Sequence, residues 1–302
     1  MNPASCTSSV ASIPALSADW QLPFIPERLT PLRLTPAWSL LRPSERLRYN
    51  QLQGLYFHEQ IIYFEQALIV PLLRAARPLV ADPALRAALV TFEAEENVHS
   101  AVFHALLRDL RPEWYARSWR HFVHVGPVGE RVLATLLRHP KQFPFLLWLI
   151  QLLEERTMFA SRLYLAEADT FPAAIVAAQR RHLADEADHV QWDIALLQQL
   201  WPATPAWLRR LNVRLLDWMV GEFIAVPRRA ALRVIDALAA DLPDLSVPAA
   251  TLKTQLRELA ARPAFRAAVF GRDAVPRTWK HASTAAHFDP FVTRWLSHEH
   301  TL

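Results

Sequence analysis

The sequence has too few cysteines for an internal disulfide and too few glycines for a protein built from β-hairpins. Cys6 is the single cysteine among 302 residues, which suits a reducing compartment. Only 5 glycines are present beside 23 prolines, and β-branched residues are few. Because tight hairpin turns commonly need glycine, we predict an all-α fold.

We expect neither a secretory signal nor a membrane span, and the sequence has no block of positive charge. No basic segment followed by a continuous apolar one opens the chain. The most apolar run, residues 143–153, is too short to cross a bilayer. The net charge is only +4, and the arginines are scattered along the chain. We therefore expect a cytoplasmic protein that binds neither nucleic acid nor a membrane.

The composition favours one large domain preceded by an arm. Hydrophobic residues make up 52% of the chain, which supports a sizeable core. Residues 1–43 are rich in Ser, Pro and Thr and have no sustained periodicity, so we expect an extended arm that lies over the domain or on a partner subunit. We expect residues 44–302 to form a single domain: a helical bundle of about residues 45–200, further helices at about 205–270, and a C-terminal extension.

Four long helices are predicted within the bundle, in two pairs separated by a connection rich in Trp and His, residues 111–142. Asp82 and Pro83 begin the second helix as an N-cap followed by proline at the first helical position. Pro71 should bend or interrupt the first helix. The expected helices cover residues 45–76, 82–110, 144–168 and 172–200.

The fourth predicted helix carries His182, Glu186 and His189 on one face. The spacings of four and three residues place these side chains on a single stripe at 3.6 residues per turn. Two imidazoles and a carboxylate on one stripe can bind a metal ion. A lone Glu-x-x-His pattern is weak evidence, because it also occurs by chance in helices.

An internal repeat strengthens the metal hypothesis. When the sequence is shifted by 90 residues, Glu96 falls on Glu186 and His99 falls on His189. An acid also precedes each of these glutamates, Glu95 in the first copy and Asp185 in the second. A bundle that binds two metal ions takes Glu-x-x-His from two helices and a single glutamate from each of the other two. The first and third helices should therefore each supply a buried glutamate.

Distance from the connecting turn favours Glu65 over Glu59 on the first helix. Glu65 precedes the turn near Arg77 by 12 residues, and Glu96 follows Pro83 by 13. Glu59 would lie about 7 Å too far along the helix at 1.5 Å per residue. Apolar residues also surround Glu65, and a carboxylate there needs a cation or a proton.

On the third helix, Glu154 and Glu155 both remain candidates, and the repeat favours Glu155. Glu155 precedes Glu186 by 31 residues, as Glu65 precedes Glu96. Oxygen and imidazole ligands suit iron or manganese, and the absence of cysteine ligands argues against a structural zinc site.

The repeated [Asp/Glu]-Glu-x-x-His pattern, each copy with a glutamate 31 residues earlier, resembles that of the ferritin-like carboxylate-bridged diiron proteins. The resemblance implies a ferritin-like four-helix bundle that binds two iron ions. It also implies that Glu95 and Asp185 accept hydrogen bonds from ligand histidines on the facing helix. The implied protein ligands are Glu65, Glu96, His99, Glu155, Glu186 and His189.

His182 narrows the resemblance, because the repeat does not require it: its counterpart 90 residues earlier is Phe92. The arrangement His-x-x-x-Glu-x-x-His is similar to that of the arylamine N-oxygenases of the AurF and CmlI type. This resemblance covers about residues 45–200 and includes the 27-residue spacing from Glu155 to His182. It implies that His182 is a seventh protein ligand.

That resemblance implies an enzyme that uses O₂ to oxidise the nitrogen of a small aromatic amine, through the hydroxylamine toward the nitro compound, in a biosynthetic pathway. We expect an external electron donor and a homodimer. Two alternatives keep the metal site. One is a diiron C–H hydroxylase or desaturase, and the other is an iron-storage or radical-generating protein.

Overall fold

The computed structural model of the protein describes residues 20–224, 229–285 and 287–296. Every regular element in these ranges is helical, which confirms the all-α prediction. None of the helices in these ranges combines the length and the apolar character that a bilayer span needs. The first 19 residues of the expected arm lie outside the described ranges.

The first helical pair follows the prediction closely. It comprises α1 (Pro43–Phe64), a π-helical turn (Glu65–Ile69), α2 (Val70–Ala76) and, after a short connection, α3 (Pro83–Leu110). Proline has no N–H to continue an α-helical ladder, and the π turn lies directly before the segment that contains Pro71. The Asp82 side chain accepts a hydrogen bond from the Ala84 N–H (2.9 Å), so it caps α3 as expected.

The second pair repeats this arrangement without a π turn. After α4 (Pro112–Tyr115) and α5 (Pro127–Leu137) in the connection, α6 (Phe145–Ala166) and α7 (Ala173–Leu200) pack closely together. α3 packs against both α1 and α7, so the two copies of the Glu-x-x-His pattern lie on neighbouring helices.

The remaining helices surround the bundle. α8 and α12 pack on α6, and α9 packs on α1. These elements are α8 (Ala206–Met219) with a π turn (Val220–Ile224), α9 (Ala230–Asp241), α10 (Ala249–Glu258), α11 (Pro263–Phe270), α12 (Pro276–Thr284), and α13 (Asp289–Phe291) with a third π turn (Val292–Leu296).

The described part of the arm is not extended. It forms three short 3₁₀ helices, Glu27–Leu29, Pro31–Leu34 and Pro36–Leu40, and buries Phe24 in the core. Prolines at the starts of two of these turns pre-set the backbone φ angle. A Cβ on Gly54 of α1 would lie 2.5 Å from the Phe24 Cβ, so glycine allows the arm to approach the helix.

Candidate metal centre

Acids and imidazoles from the π turn after α1, from α3 and from α7 meet inside the bundle in two overlapping groups. Glu96, His99, Glu186 and His189 each offer one ligand atom, and these atoms lie within 4.8 Å of one another. Glu65 forms a second such group with His99 and His182. All of these residues are buried.

Two of the histidines are hydrogen-bonded to carboxylates through the ring nitrogen that points away from the cluster. His99 Nε2 lies 3.1 Å from Asp185 Oδ2, and His189 Nε2 lies 2.9 Å from Glu95 Oε2. Each pair joins α3 to α7, so each acid orients the histidine of the facing helix. With Nε2 held in this way, Nδ1 of both histidines faces the cluster and is available to a metal ion.

The facing nitrogens lie close to the carboxylates of the two Glu-x-x-His motifs. His189 Nδ1 is 3.0 Å from Glu96 Oε1, and His99 Nδ1 is 3.6 Å from Glu186 Oε1. In each case, an imidazole from one helix approaches the glutamate of the other. A metal ion between the helices could therefore receive ligands from both copies of the repeat.

Glu65, rather than Glu59, lies with this cluster. Its Oε2 accepts a hydrogen bond from the Ser100 hydroxyl (2.6 Å), and its Oε1 lies 3.4 Å from His182 Nε2. His182 Nε2 is also 3.0 Å from Glu186 Oε1, so His182 lies beside the cluster on the Glu65 side.

Glu59 has a different set of partners. Its carboxylate accepts hydrogen bonds from the Tyr115 hydroxyl (2.6 Å) and from the backbone N–H groups of His121, Phe122 and Val123. Glu59 therefore fixes the connection between the two helical pairs.

The expectation that Glu155 faces the cluster is wrong. The Glu155 carboxylate accepts hydrogen bonds from the backbone N–H groups of Arg277 (2.6 Å) and Thr278 (2.7 Å) at the start of α12. Glu154 instead lines a small cavity together with Glu65 and His182.

Two physical reasons explain the wrong choice. Neighbouring residues of an α-helix differ by 1.5 Å in height but by about 100° in direction, so counting from the turn cannot separate them. The shift of 90 residues also fails here, because Glu154 precedes Glu186 by 32 residues whereas Glu65 precedes Glu96 by 31, so the two helical pairs differ in length by one residue.

The donor atoms of the cluster fit a pair of divalent metal ions. Several buried oxygens and nitrogens face one another and have no hydrogen-bond partner among the described residues. Burying such polar atoms costs free energy unless a cation binds them. These atoms are Oε1 of Glu65 and Glu154, both carboxylate oxygens of Glu96 and Glu186, and Nδ1 of His99 and His189.

The pKa values of the acids are shifted by burial and by the charged groups that lie close to them. Burial raises the pKa of Glu65 to about 7. Burial, together with the charge of Glu186, also raises the pKa of Glu154 well above its ordinary range. Burial alone would raise the pKa of Glu186, but His182 and the other neighbours hold it well below its usual value. Without metal ions, protons on Glu65 and Glu154 therefore offset part of the negative charge that bound metal ions would balance.

Sequence reasoning missed two polar residues beside the cluster. Ser100 directly follows His99 and fixes Glu65, as described above. Asp193 follows His189 by four residues, is fully buried, and has no hydrogen-bond partner among the described residues. The four-residue spacing was the available signal for Asp193. Phe92, the counterpart of His182 in the repeat, stacks on His189 with ring centroids 4.0 Å apart.

A larger cavity adjoins the small one beside the cluster. Four residues line both spaces, Ile61, Phe64, Leu153 and Thr157. The larger cavity opens to solvent. The larger cavity therefore lies on the Glu65 and Glu154 side of the metal centre, and its walls are mostly apolar.

One comparison with known proteins identifies a family. The family profile described as P-aminobenzoate N-oxygenase AurF matches residues 11–261. Among curated proteins, none matches the chain significantly.

Proposed function

The chain belongs to the AurF family of N-oxygenases, and from this premise we propose that it uses O₂ to oxidise the nitrogen of a small aromatic amine in a biosynthetic pathway. The observation that carries the proposal is the buried set of carboxylate oxygens and imidazole nitrogens that face one another without hydrogen-bond partners among the described residues. We propose seven ligands for two iron ions: Glu65, Glu96, His99, Glu154, His182, Glu186 and His189.

Iron is our choice because the family is a diiron family. The oxygen and imidazole donors would also accept manganese, so the donor set alone does not choose between the two metals. When bound, a pair of ferrous ions supplies electrons for the activation of O₂ beside the substrate. The first oxidation consumes the amine, O₂, two electrons and two protons, and yields the hydroxylamine and water.

The protein's own residues position and shield this chemistry. Glu95 and Asp185 hold the imidazoles of His189 and His99, so that Nδ1 of each points inward. The Ser100 hydroxyl holds one oxygen of Glu65 and leaves the other free. Apolar side chains separate the centre from the larger cavity, which keeps bulk water from the reacting nitrogen. These side chains are Ile61, Phe64, Ile69 and Leu153.

The proposal has three further parts. The electron balance requires an external electron donor to return the iron to the ferrous state. The single cysteine, Cys6, supports a cytoplasmic location. A homodimer is the assembly we expect, and light scattering on the purified protein measures it.

The test combines metal analysis, Mössbauer spectroscopy and product identification. We expect two irons per chain, a change in the Mössbauer spectrum when the ferrous protein meets O₂, and ¹⁸O from ¹⁸O₂ on the nitrogen of a 4-aminobenzoate-like amine by mass spectrometry. Glu186→Ala should lose the iron and the product, while Asp188→Asn, an exposed acid two residues along the same helix, should keep both.

Three results would contradict the proposal. A protein that binds no transition metal would remove the basis of the site. Oxygen found only on carbon would assign the C–H hydroxylase alternative, and iron oxidation without any organic product across a broad amine panel would assign the storage alternative.

A further inference from the structure

Aromatic rings on α3 and α7 form a short path from a proposed ligand histidine to the surface. Phe92 stacks on His189 with ring centroids 4.0 Å apart. Trp192 follows His189 by about one turn of α7, and its indole ring lies 5.8 Å from the imidazole and 5.7 Å from the Phe92 ring. Trp192 therefore contacts both the proposed ligand and the ring that covers it.

Trp192 is the ring of this group that reaches solvent. Among the described residues, the other rings that contact a ligand histidine from outside the ligand set are Phe92 and Phe103, and both are fully buried. Trp192 is half-buried. Its indole N–H forms no hydrogen bond with another described residue and is not one of their buried atoms without a partner, so it meets water. One side chain thus connects the metal side of α7 with solvent.

The chemistry of the indole distinguishes Trp192 from the phenyl rings beside it. Indole and phenol groups give up an electron far more readily than phenyl or aliphatic groups. All five tyrosines lie within the described ranges, and none of them makes a ring contact with His99, His182 or His189. The readily oxidised ring in contact with the metal centre is therefore that of Trp192.

Acidic side chains near Trp192 favour positive charge on its ring. The partly exposed Glu95 carboxylate lies 2.9 Å from Nε2 of His189, the imidazole that contacts the indole. Asp188 is exposed and precedes Trp192 by four residues, so the two side chains lie on the same face of α7. No arginine or lysine follows Arg181 on this helix. Because carboxylates attract positive charge, an electron leaves this ring at a lower cost in free energy.

We propose that Trp192 is a redox relay that discharges the metal centre when O₂ has reacted and no amine is bound. The ring gives one electron to the oxidised centre, its Nε1 proton passes to water, and a neutral indolyl radical remains at the surface. A thiol, the class of reductant that a reducing compartment supplies, returns a hydrogen atom to Nε1.

Two rounds of this relay complete the reduction of O₂ to two water molecules. Two of the four electrons come from the pair of ferrous ions and two come from thiols through Trp192, and the two thiols leave as one disulfide. The four protons arrive through water. The inference rests on the proposed function for the reaction of the iron with O₂, whereas the path to the surface rests on the ring contacts of Trp192.

Reaction of the iron-loaded protein with O₂, without an amine or a thiol, provides the first test. Electron paramagnetic resonance on freeze-quenched samples should detect an indolyl radical, and peptide mass spectrometry should find added oxygen on Trp192. Trp207 of α8 is the internal control: it is 63% exposed, more than Trp192, and should stay unmodified. A thiol or a 4-aminobenzoate-like amine, present from the start, should suppress both signals.

Variants at Trp192 assign the radical to this ring. Trp192→Phe keeps an aromatic ring in the same place, so its iron content should equal that of the native protein, whereas the radical signal and the oxidised peptide should be lost. Trp192→Tyr should replace the indolyl signal with that of a tyrosyl radical. Trp207→Phe is the matched control and should keep the native signal.

Three results would overturn the inference. Equal oxidation of Trp207 and Trp192 would indicate attack by oxidants in solution. A radical signal that is unchanged in Trp192→Phe would place the oxidised group elsewhere. Oxidation of the iron in the native protein with neither a radical nor a modified Trp192 would exclude the relay. This last measurement needs no variant, so it decides the question even if Trp192→Phe fails to fold.

Product analysis separates this inference from the proposed function. If amines are oxidised at nitrogen while Trp192 forms no radical and stays unmodified in the absence of substrate, the N-oxygenase stands and the relay fails. If O₂ generates the Trp192 radical but no amine of a broad panel is oxidised, the relay stands and the N-oxygenase proposal fails.

Discussion

At the scale of single residues, some acids of the metal centre face the cluster, and others form hydrogen bonds with the ligand histidines. Glu96 and Glu186 face the space between α3 and α7, while Glu95 and Asp185 stand directly before them in sequence and bind the histidines from behind. Burial would lower the pKa of His189, but the neighbouring carboxylates outweigh it and raise the value to about 11. Each supporting acid thus favours one orientation of an imidazole.

Glu154 and Glu155 differ in role although they are adjacent. We predict that Glu154→Gln loses iron, because it removes a charged oxygen that faces the cluster. Glu155→Gln should keep its iron, and its free energy of unfolding should fall by about 1–3 kcal/mol, because the carboxylate that accepts the two N–H groups at the start of α12 is lost. Iron analysis and thermal unfolding measure the two effects.

Glu167→Gln is the control for this pair, since Glu167 is an exposed acid that follows the same helix. It should keep both the iron and the stability of the native protein. Loss of iron in Glu155→Gln with normal iron in Glu154→Gln would reverse our assignment and restore the one that the 90-residue repeat favours.

The sequence predicts those site residues whose positions follow from spacing along one helix. His182, Glu186 and His189 share a face by the 3.6-residue period alone, and the height above the turn separates Glu65 from Glu59 by several ångströms. The choice between Glu154 and Glu155 depends on the rotation of α6 about its axis. Packing against α7, α8 and α12 determines that rotation, and a helical period does not reveal it.

At the scale of elements, the connection between the two helical pairs depends on one buried acid. Glu59 receives hydrogen bonds from Tyr115 and from three successive N–H groups beginning at His121. Burial raises the pKa of Glu59 to about 7, although these donors act in the opposite direction. An amide in its place would turn an NH₂ group toward an N–H donor, and one hydrogen bond at least would be lost.

We predict that Glu59→Gln lowers the free energy of unfolding by about 1–3 kcal/mol and loosens the connection. Trypsin should then cleave after the exposed Arg117 or the half-buried Arg120 faster than in the native protein, because the backbone near these two residues is less firmly held. Glu113→Gln is the matched control: its side chain is 57% exposed in a surface pair with Arg111, and such pairs contribute little. Equal cleavage rates in the two variants would contradict the role of Glu59.

The long helices could be predicted because the residues that begin and interrupt them are close together in sequence. The 3₁₀ turns of the arm could not be predicted in this way. Asp82 and Pro83 mark the start of α3, and Pro71 marks the interruption of the first helix. Residues 20–43 have no helical period, because their apolar side chains meet the core through separate 3₁₀ turns. Asn50 and Gly54 of α1 receive this segment, and contacts so far apart in sequence leave no periodic pattern.

At the scale of the whole molecule, the metal-free bundle encloses three protonated imidazoles. Burial would lower their pKa values, but the surrounding carboxylates raise them to about 9 for His182, about 10 for His99 and about 11 for His189. These values lie above the value of about 6.5 for an unfolded histidine. Their contribution to the stability of the metal-free protein is therefore complete below about pH 6.5 and is lost as the pH rises through about 9 to 11.

Iron binding must release these protons, so the stabilisation of the bundle by iron should depend on pH. Fe²⁺ binds neutral imidazole and ionised carboxylate, and protons compete with it more strongly at pH 6 than at pH 8. Over the same interval the metal-free protein becomes less stable relative to its unfolded chain, which loses its histidine protons first. We predict that anaerobic Fe²⁺ raises the Tm more at pH 8 than at pH 6, as measured by calorimetry at fixed ligand excess. Ca²⁺, which prefers oxygen ligands alone, is the control and should produce little change. An equal or larger shift at pH 6, or the same shift with Ca²⁺, would show that the imidazoles of this cluster do not take part in binding.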